Sequence, residues 1–417
     1  MYEWSEPMQM MRDTVRQFVE KEVKPHVWDL EHGDVPPYDV IRKLMSSFAM
    51  DYMAKQRFEH IIAKEEAAAR GEEPPAKDEG GGGLTALAGD AAAMAMIPII
   101  ELCRYCPGLV TAMGVSMGLT SAAIMGKGTL EQKKRWALDL LTFDKVGAWA
   151  ITEPESGSDA FGAMKASARR DGDEFVLNGN KTFITNGPYA DTIVFICKFD
   201  EGNPPDERKI LSFVLEKGDP GLEQSKPMKK MGLHSSPTGE LFLTDVRVGM
   251  DRLLGGEDVL GSSGNRAGRE AAKATFTMER SGVAAMALGI ISQCIDKSVE
   301  YAKERKSWGK PIGEYQLIQL KLAKMEVARL NVENLVFRYL DLAADGKDLS
   351  LSEASAMKLY SAQAAVEVAL EAVQLFGGNG YMAEYQVEQL ARDAKILQIY
   401  GGTDEMQVQH IARAMLA

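Results

Sequence analysis

The chain has 417 residues, enough for roughly two to four domains with sizeable cores. Its 45% apolar and 26% charged content exclude disordered, collagen-like and disulfide-scaffold classes. A formal charge of −12 excludes nucleic acid, which needs clustered Lys and Arg, but not a small anionic ligand, because a local basic patch overrides a global sign.

The first region, to about residue 145, reads as helical. Met8, Met11, Val15, Phe18, Val19 and Val23 recur at three- and four-residue spacing with charged residues between them. Glu3 and Glu6 lead directly into this run, so no signal peptide is expected. Four cysteines form no framework. Cys103 and Cys106 lack a second pair or His partner at metal spacing, so they read as buried thiols of a reducing compartment, with no metal site.

Gln56–Arg70 is a charged helix with little apolar face, ended by Gly71-Glu72-Glu73-Pro74-Pro75 and followed by a flexible Gly80–Gly83 joint. The segment at about 51–79 is a solvated surface insertion, or alternatively a lid or docking arm. Tyr105–Gly126 is uncharged and long enough to span a membrane, but Pro107 and four glycines make it a buried helix instead.

From about 146 to 262 the period shortens, and a small antiparallel β domain is expected. Phe175–Gly179 reads as a strand meeting an Asn178-Gly179 hairpin turn. Thr182–Thr185, Thr192–Lys198 and Ile210–Glu216 are further strands. From 263 to 417 the chain is helical again, near 268–305, 313–343, 350–376 and 384–398, with a short helix from Thr403. Long helices with short connections favour an antiparallel bundle. The fold class is mainly α with a central β domain.

Several runs carry chemistry. Ile151-Thr152-Glu153-Pro154-Glu155-Ser156-Gly157-Ser158-Asp159 offers hydroxyls and free N–H groups for a ring carbonyl or an anion, or is simply a capped turn. Phe183-Ile184-Thr185-Asn186-Gly187 ends a strand with an aromatic and a hydroxyl suited to cover a flat cofactor. Gln374–Tyr381 contains G-x-G but follows a helix, so it fits a glycine helix end rather than a dinucleotide fingerprint. After the Gly401-Gly402 break, Thr403 is placed to cap the last helix, whose N-terminus favours anions.

Together these runs resemble the acyl-CoA dehydrogenase family over nearly the whole chain. ITEPESGSD, NGNKTFITNG (Asn178–Gly187), YAKERKSWGKPIGEYQ (Tyr301–Gln316), QLFGGNGY and RDAKILQIYGGT (Arg392–Thr403) stand in the family's order. The resemblance implies a helical domain, a β-barrel-like domain and a four-helix bundle, assembled as a homotetramer around FAD. It implies that Ile151, Thr152 and Ser158, with Phe183, Ile184 and Thr185, line the flavin ring and ribityl chain. A neighbouring subunit would contribute Arg305, Gln316, Gln374, Gly377 and Gly378, while Thr403 and Glu405 complete the phosphate and adenine contacts. Ser158, Arg280, Tyr400 and Gly401 would border the acyl thioester. An electron-transfer flavoprotein is the implied acceptor, and the compartment is the bacterial cytoplasm or an organelle matrix after processing.

One departure matters. Most of the family carry a catalytic glutamate in Tyr-Glu-Gly-Thr, where this chain has Tyr400-Gly401-Gly402-Thr403. Glu279 replaces it: it follows Phe276 by three residues and precedes Val283 by four, on one stripe with Ala287, Ile290 and Cys294. Burial there would raise its pKa toward the range of a general base, although Arg280 beside it makes a structural ion pair the competing role. Glu279-Arg280 with Gly401 resembles the isovaleryl-CoA and some long-chain members. The implied reaction takes a proton from Cα to Glu279 and a hydride from Cβ to flavin N5, yielding the trans-2-enoyl-CoA. A reductase or oxygen-reactive relative, and a catalytically silent flavin-binding subunit, are the alternatives.

Overall fold

The computed structural model describes residues 3–72, 91–261 and 265–417; the side chains of Ala91 and of 265–278 lie outside that description. So do Glu73–Pro75, the Gly80–Gly83 joint and the Phe276 side chain singled out above.

Among the described residues, eight α-helices make the first region: α1 (Glu6–Phe18), α2 (Val27–His32), α3 (Tyr38–Ser47), α4 (Met50–Arg70), α5 (Ala91–Cys103), α6 (Pro107–Met113), α7 (Ser121–Lys127) and α8 (Leu130–Leu141). Met8 and Val15 bury the apolar face of α1, and Arg16 from its last turn forks onto Glu101 of α5 at 2.9 and 2.8 Å. A seven-residue π-helical turn, Gly114–Thr120, joins α6 to α7. From Pro107 the uncharged stretch is thus one helical rod, with 44% of its most apolar window buried and most of the remaining residues half-buried. Helix α4 packs on α8. Phe58, Ile62 and Ala67 form a narrow buried stripe, flanked by Lys133–Glu65 and Lys134–Glu66 ion pairs at 2.8 and 2.7 Å.

The sheet holds β1 (Gly147–Ala150), β2 (Ser167–Asp171), β3 (Glu174–Thr185), β4 (Thr192–Asp200), β5 (Ile210–Glu216), β6 (Leu222–Gln224) and β7 (Thr238–Gly249), with the short helix α9 (Ala160–Ala163) before β2. Its order is β1-β4-β2-β3-β7-β6, and β5 pairs with β4. Two strands depart from an all-antiparallel sheet, since β1 and β2 both run parallel to β4. The expected turn at Asn178-Gly179 is instead a bulge within one continuous β3. A Cβ on Gly179 would lie 2.6 Å from that of Ala166, so the glycine serves close strand approach; the turn into β3 falls at Gly172, with φ of 64°.

After β7 and α10 (Asp258–Gly261) comes the bundle: α11 (Asn265–Glu304), α12 (Gln316–Ala344), α13 (Leu351–Phe376), α14 (Val387–Ile396) and α15 (Asp404–Leu416). A two-stranded ribbon, β8 (Lys306–Ser307) and β9 (Lys310–Pro311), precedes α12. The Ser350–Glu353 capping box starts α13, where Ala354, Ala362, Ala365, Ala369 and Ala372 are buried and let neighbouring helices approach closely. One apolar core joins the first helices to the bundle, and a second joins the sheet to α4, α7 and α8. Gln132 ties helical region to sheet, donating Nε2 to the carbonyls of Asp251 and Leu253 at 2.9 and 2.6 Å.

Candidate active site

Glu279 lies on α11 and is partly buried, with Arg280 next to it almost wholly so at 3% exposure. Burial pushes the Glu279 carboxyl above the usual range, while Arg280 and Lys358 pull it back down. Arg280 donates Nη1 to Ser355 Oγ at 3.0 Å on α13, and its Nη2 lies 3.4 Å from His410 Nδ1 on α15. Directly opposite is the Gly401-Gly402 turn, with φ of 62° and 87°. That left-handed backbone favours glycine. A Cβ on Gly401 would meet Glu279 Oε1 at 3.4 Å, so the turn and the helix converge on one point. Tyr400, half-buried, donates its hydroxyl to Met286 Sδ at 3.2 Å, and burial raises its pKa.

The loop Ile151–Asp159 is anchored from below. Lys181, fully buried on β3, donates Nζ to the Ile151 carbonyl and to Glu153 Oε1, each at 2.9 Å. Glu153 also accepts from the Lys165 and Ala166 N–H groups at 2.6 and 2.9 Å, and Thr182 N–H donates to the Thr152 carbonyl at 2.9 Å. Ile151 and Thr152 are half-buried, and Ser158 is exposed. At the end of β3, Ile184 turns into the sheet core while Phe183 is 65% exposed with φ of 57°. An aromatic held open on left-handed backbone is a costly placement, of the kind found where a ligand covers it. Thr185 beside it is half-buried.

Arg305, Gln316, Gln374, Gly377 and Gly378 are all exposed. The end of α11 and the end of α13 meet through Tyr301, stacked on Phe376 at 4.1 Å, with Asn379 Nδ2 donating to the Tyr301 hydroxyl at 3.0 Å. Thr403 caps α15, its hydroxyl accepting from Met406 N–H at 3.4 Å, and Glu405 is exposed in the first turn. Three groups therefore emerge: Glu279 with Arg280, Tyr400 and Gly401; the 151–158 loop with Phe183–Thr185; and the exposed bundle end. Among the described residues, no hydrogen bond or ion pair joins the second or third group to Glu279.

The structure adds residues that sequence reading did not reach. Lys358 of α13 is fully buried and donates to the Gly402 carbonyl at 2.8 Å, and Gln407 donates to the same carbonyl at 2.7 Å. The one local signal was a lysine within an Ala- and Ser-rich helix. Lys181 and Glu153 carried no such signal, since charged residues in a strand and a loop read as surface. The site offers an open aromatic, an apolar helix face, backbone N–H groups and an exposed arginine. That donor set fits a flat ring system joined to phosphates.

The family model described as acyl-CoA dehydrogenase, middle domain matches residues 148–246, and the one described as acyl-CoA dehydrogenase, C-terminal domain matches 266–416. An acyl-CoA dehydrogenase of Bacillus subtilis (strain 168) is 35% identical over 409 residues, 98% of this chain and 97% of that protein. A 3-(aryl)acrylate reductase of Clostridium sporogenes is 32% identical over 413 residues, 99% of each. Among solved structures, butyryl-CoA dehydrogenase from Megasphaera elsdenii superposes with a TM-score of 0.81 at 31% identity, covering 100% of both chains. A chain from a study of the electron transferring flavoprotein of Acidaminococcus fermentans gives 0.78 at 32% identity over 100% and 99%. A glutaryl-CoA dehydrogenase from Mycobacterium smegmatis in complex with FADH2 gives 0.80 at 26% identity over 99% and 95%.

Proposed function

The chain belongs to the acyl-CoA dehydrogenase family and is an FAD-dependent oxidoreductase, and from that premise we propose that it removes the α proton of an acyl-CoA thioester with Glu279 as the base. The observation that carries this is the convergence of Glu279 and Gly401 on one point, 3.4 Å apart at the position of an added Cβ. Burial keeps the Glu279 carboxyl less acidic than an exposed one, which matches a base that must take a weakly acidic proton. Gly401 and Gly402 leave room for the substrate and present N–H groups at which enolate charge can be stabilised. Tyr400 and Arg280 border the same space, and Ser158 borders the thioester from the β side.

Ile151, Thr152 and Ser158, with Phe183, Ile184 and Thr185, would hold the ring and ribityl part of FAD; Ile184 does so through its backbone, since its side chain is buried. FAD, when bound, supplies the hydride acceptor for the β-carbon. Arg305, Gln316, Gln374, Gly377 and Gly378, exposed on one protomer, would serve a neighbour's pyrophosphate and adenosine, with Thr403 and Glu405 completing that end. This reading includes three domains (1–145, 146–262 and 263–417), a homotetramer, and an electron-transfer flavoprotein as electron acceptor.

Anaerobic addition of acyl-CoA to the yellow holoenzyme tests the reaction. Bleaching with butyryl-CoA or another member of a chain-length and branched series is expected, and silence across the series sinks it. Glu279→Gln should keep FAD and slow turnover by ~10²–10⁴-fold. The arylacrylate reductase relative favours a second reading, the same chemistry run toward reduction. Faster turnover of a 2-enoyl substrate by the reduced enzyme than of the saturated substrate by the oxidised enzyme would select it.

A further inference from the structure

Lys358 stands near the first third of α13 and is 0% exposed, an uncommon place for a lysine. Its Nζ donates to the Gly402 carbonyl at 2.8 Å and reaches Asp404 Oδ1 at 3.4 Å. Gln407 Nε2 grips the same turn, at 2.7 Å from the Gly402 carbonyl and 3.2 Å from that of Gly401. A trans peptide points its N–H opposite its C=O. Drawing both carbonyls toward α13 and α15 therefore turns the N–H groups of Gly402 and Thr403 away from those two helices. The turn's N–H groups make no backbone hydrogen bond among the described residues. The side of Gly401 that a Cβ would occupy faces Glu279.

We propose that Lys358 is a positioning residue for the reaction: it braces the Gly401-Gly402 turn from behind, so that the turn presents its N–H groups beside Glu279, and it sets a buried positive charge near that base. The inference rests on Glu279 being the base. Among the described residues, the charged and titratable groups around Glu279 are Arg280 on its own helix, Lys358 from α13 and Tyr400 from the turn. Behind them, Asp404 faces Lys358 and His410 faces Arg280. A cation favours ionised Glu279, so removing one moves the protonation of the base to higher pH.

The test compares Lys358→Met, Lys358→Gln and Glu279→Gln as holoenzymes, by FAD content and by kcat and kcat/KM against pH. Lys358→Met should retain FAD, lose up to about 100-fold in kcat from the slackened turn, and shift the acidic limb of kcat/KM to higher pH. Lys358→Gln keeps a donor for the Gly402 carbonyl. It should recover most of the kcat while keeping the shifted limb, a split that a merely structural lysine does not give. A wild-type pH limb in Lys358→Gln overturns the inference, even if Lys358→Met fails to fold. An active Glu279→Gln overturns the base assignment and the inference together, whereas an inactive one beside unmoved Lys358 limbs overturns the inference alone.

Discussion

A side chain at position 401 would begin 3.4 Å from Oε1 of Glu279, so helix α11 and the Gly401-Gly402 turn offer two routes to a carboxylate at one place. Gly401→Glu in the wild-type background therefore puts two carboxylates together, and one of them is forced to hold a proton. Activity should fall near neutrality, with the acidic limb moved upward. In Glu279→Gln the same Gly401→Glu change supplies the missing base, at a backbone cost of ~1–2 kcal/mol for the left-handed φ. Turnover at least about tenfold above Glu279→Gln alone is expected, as a partial recovery of the ~10²–10⁴ weight of a base. A double variant that holds FAD and turns over no faster than Glu279→Gln refutes the shared position.

The same pair shows what was legible in the sequence. The proposal for Glu279 starts from an apolar stripe, which is a local pattern, and from a resemblance to a family whose loop carboxylate this chain replaces with Gly401. The bundle was legible in the same way: the helical period and the glycine break after Phe376 give a helix near 350–376, observed as Leu351–Phe376. Lys358 was not, because its acceptor lies 44 residues away and only packing brings them together. Asn178-Gly179 misled for the same reason. The dipeptide that makes a hairpin turn also suits a bulge, and contact with Ala166 decides between them. Packing likewise decided α4, whose Phe58–Ile62 stripe is too narrow to stand out among charged neighbours.

The Lys181–Glu153 pair is buried at 0% and 5% side-chain exposure, with 2.9 Å between Nζ and Oε1, and it pins the start of the 151–159 loop to β3. Lys181→Met strands a buried carboxylate, which costs about 3–5 kcal/mol. Thermal unfolding should drop by several degrees and FAD should wash out more readily. Lys181→Met with Glu153→Gln removes the stranded charge and should regain part of the lost stability. Equal melting of the single and double variants counts against the stranded-charge account.

Asp393 of α14 is fully buried beside Glu31 of α2, and burial together with that like charge pushes its carboxyl up to about 7. Unfolded, it titrates near about 3.9. Between these values the folded chain holds a proton that the unfolded chain has released. Stability from this group is therefore intact below pH ~4 and is lost as pH rises toward about 7. Lys230 nearby, lowered to about 8 by burial, is charged in both states across this window and adds no slope. Asp393→Asn keeps an acceptor for the Leu233 N–H, which bonds Asp393 at 2.6 Å. Its melting temperature should exceed that of the wild type at about pH 7 and converge with it as the pH falls toward about 4. A constant difference across that range removes the linkage.

Leu317, Leu320, Val327 and Leu330 of α12 are 75, 52, 58 and 43% exposed on a single protomer, although water gains nothing from such a face. Their spacing of three, seven and three residues keeps them on one side of the helix. Of the residues assigned to a neighbour's FAD, Gln316 stands immediately before this face and Arg305 lies just past the end of α11, before the β8–β9 ribbon. If subunits close over it, the apolar face and the cofactor depend on one assembly. Leu320→Glu with Val327→Glu puts two charges into that face while leaving Glu279, Lys358 and the 151–158 loop untouched. Light scattering should then report a smaller particle, and the same sample should carry less FAD. A variant of unchanged mass and full FAD content would show that this face closes on nothing. Loss of mass with FAD retained would instead place the whole cofactor site within one protomer and remove Arg305, Gln316 and Gln374 from it.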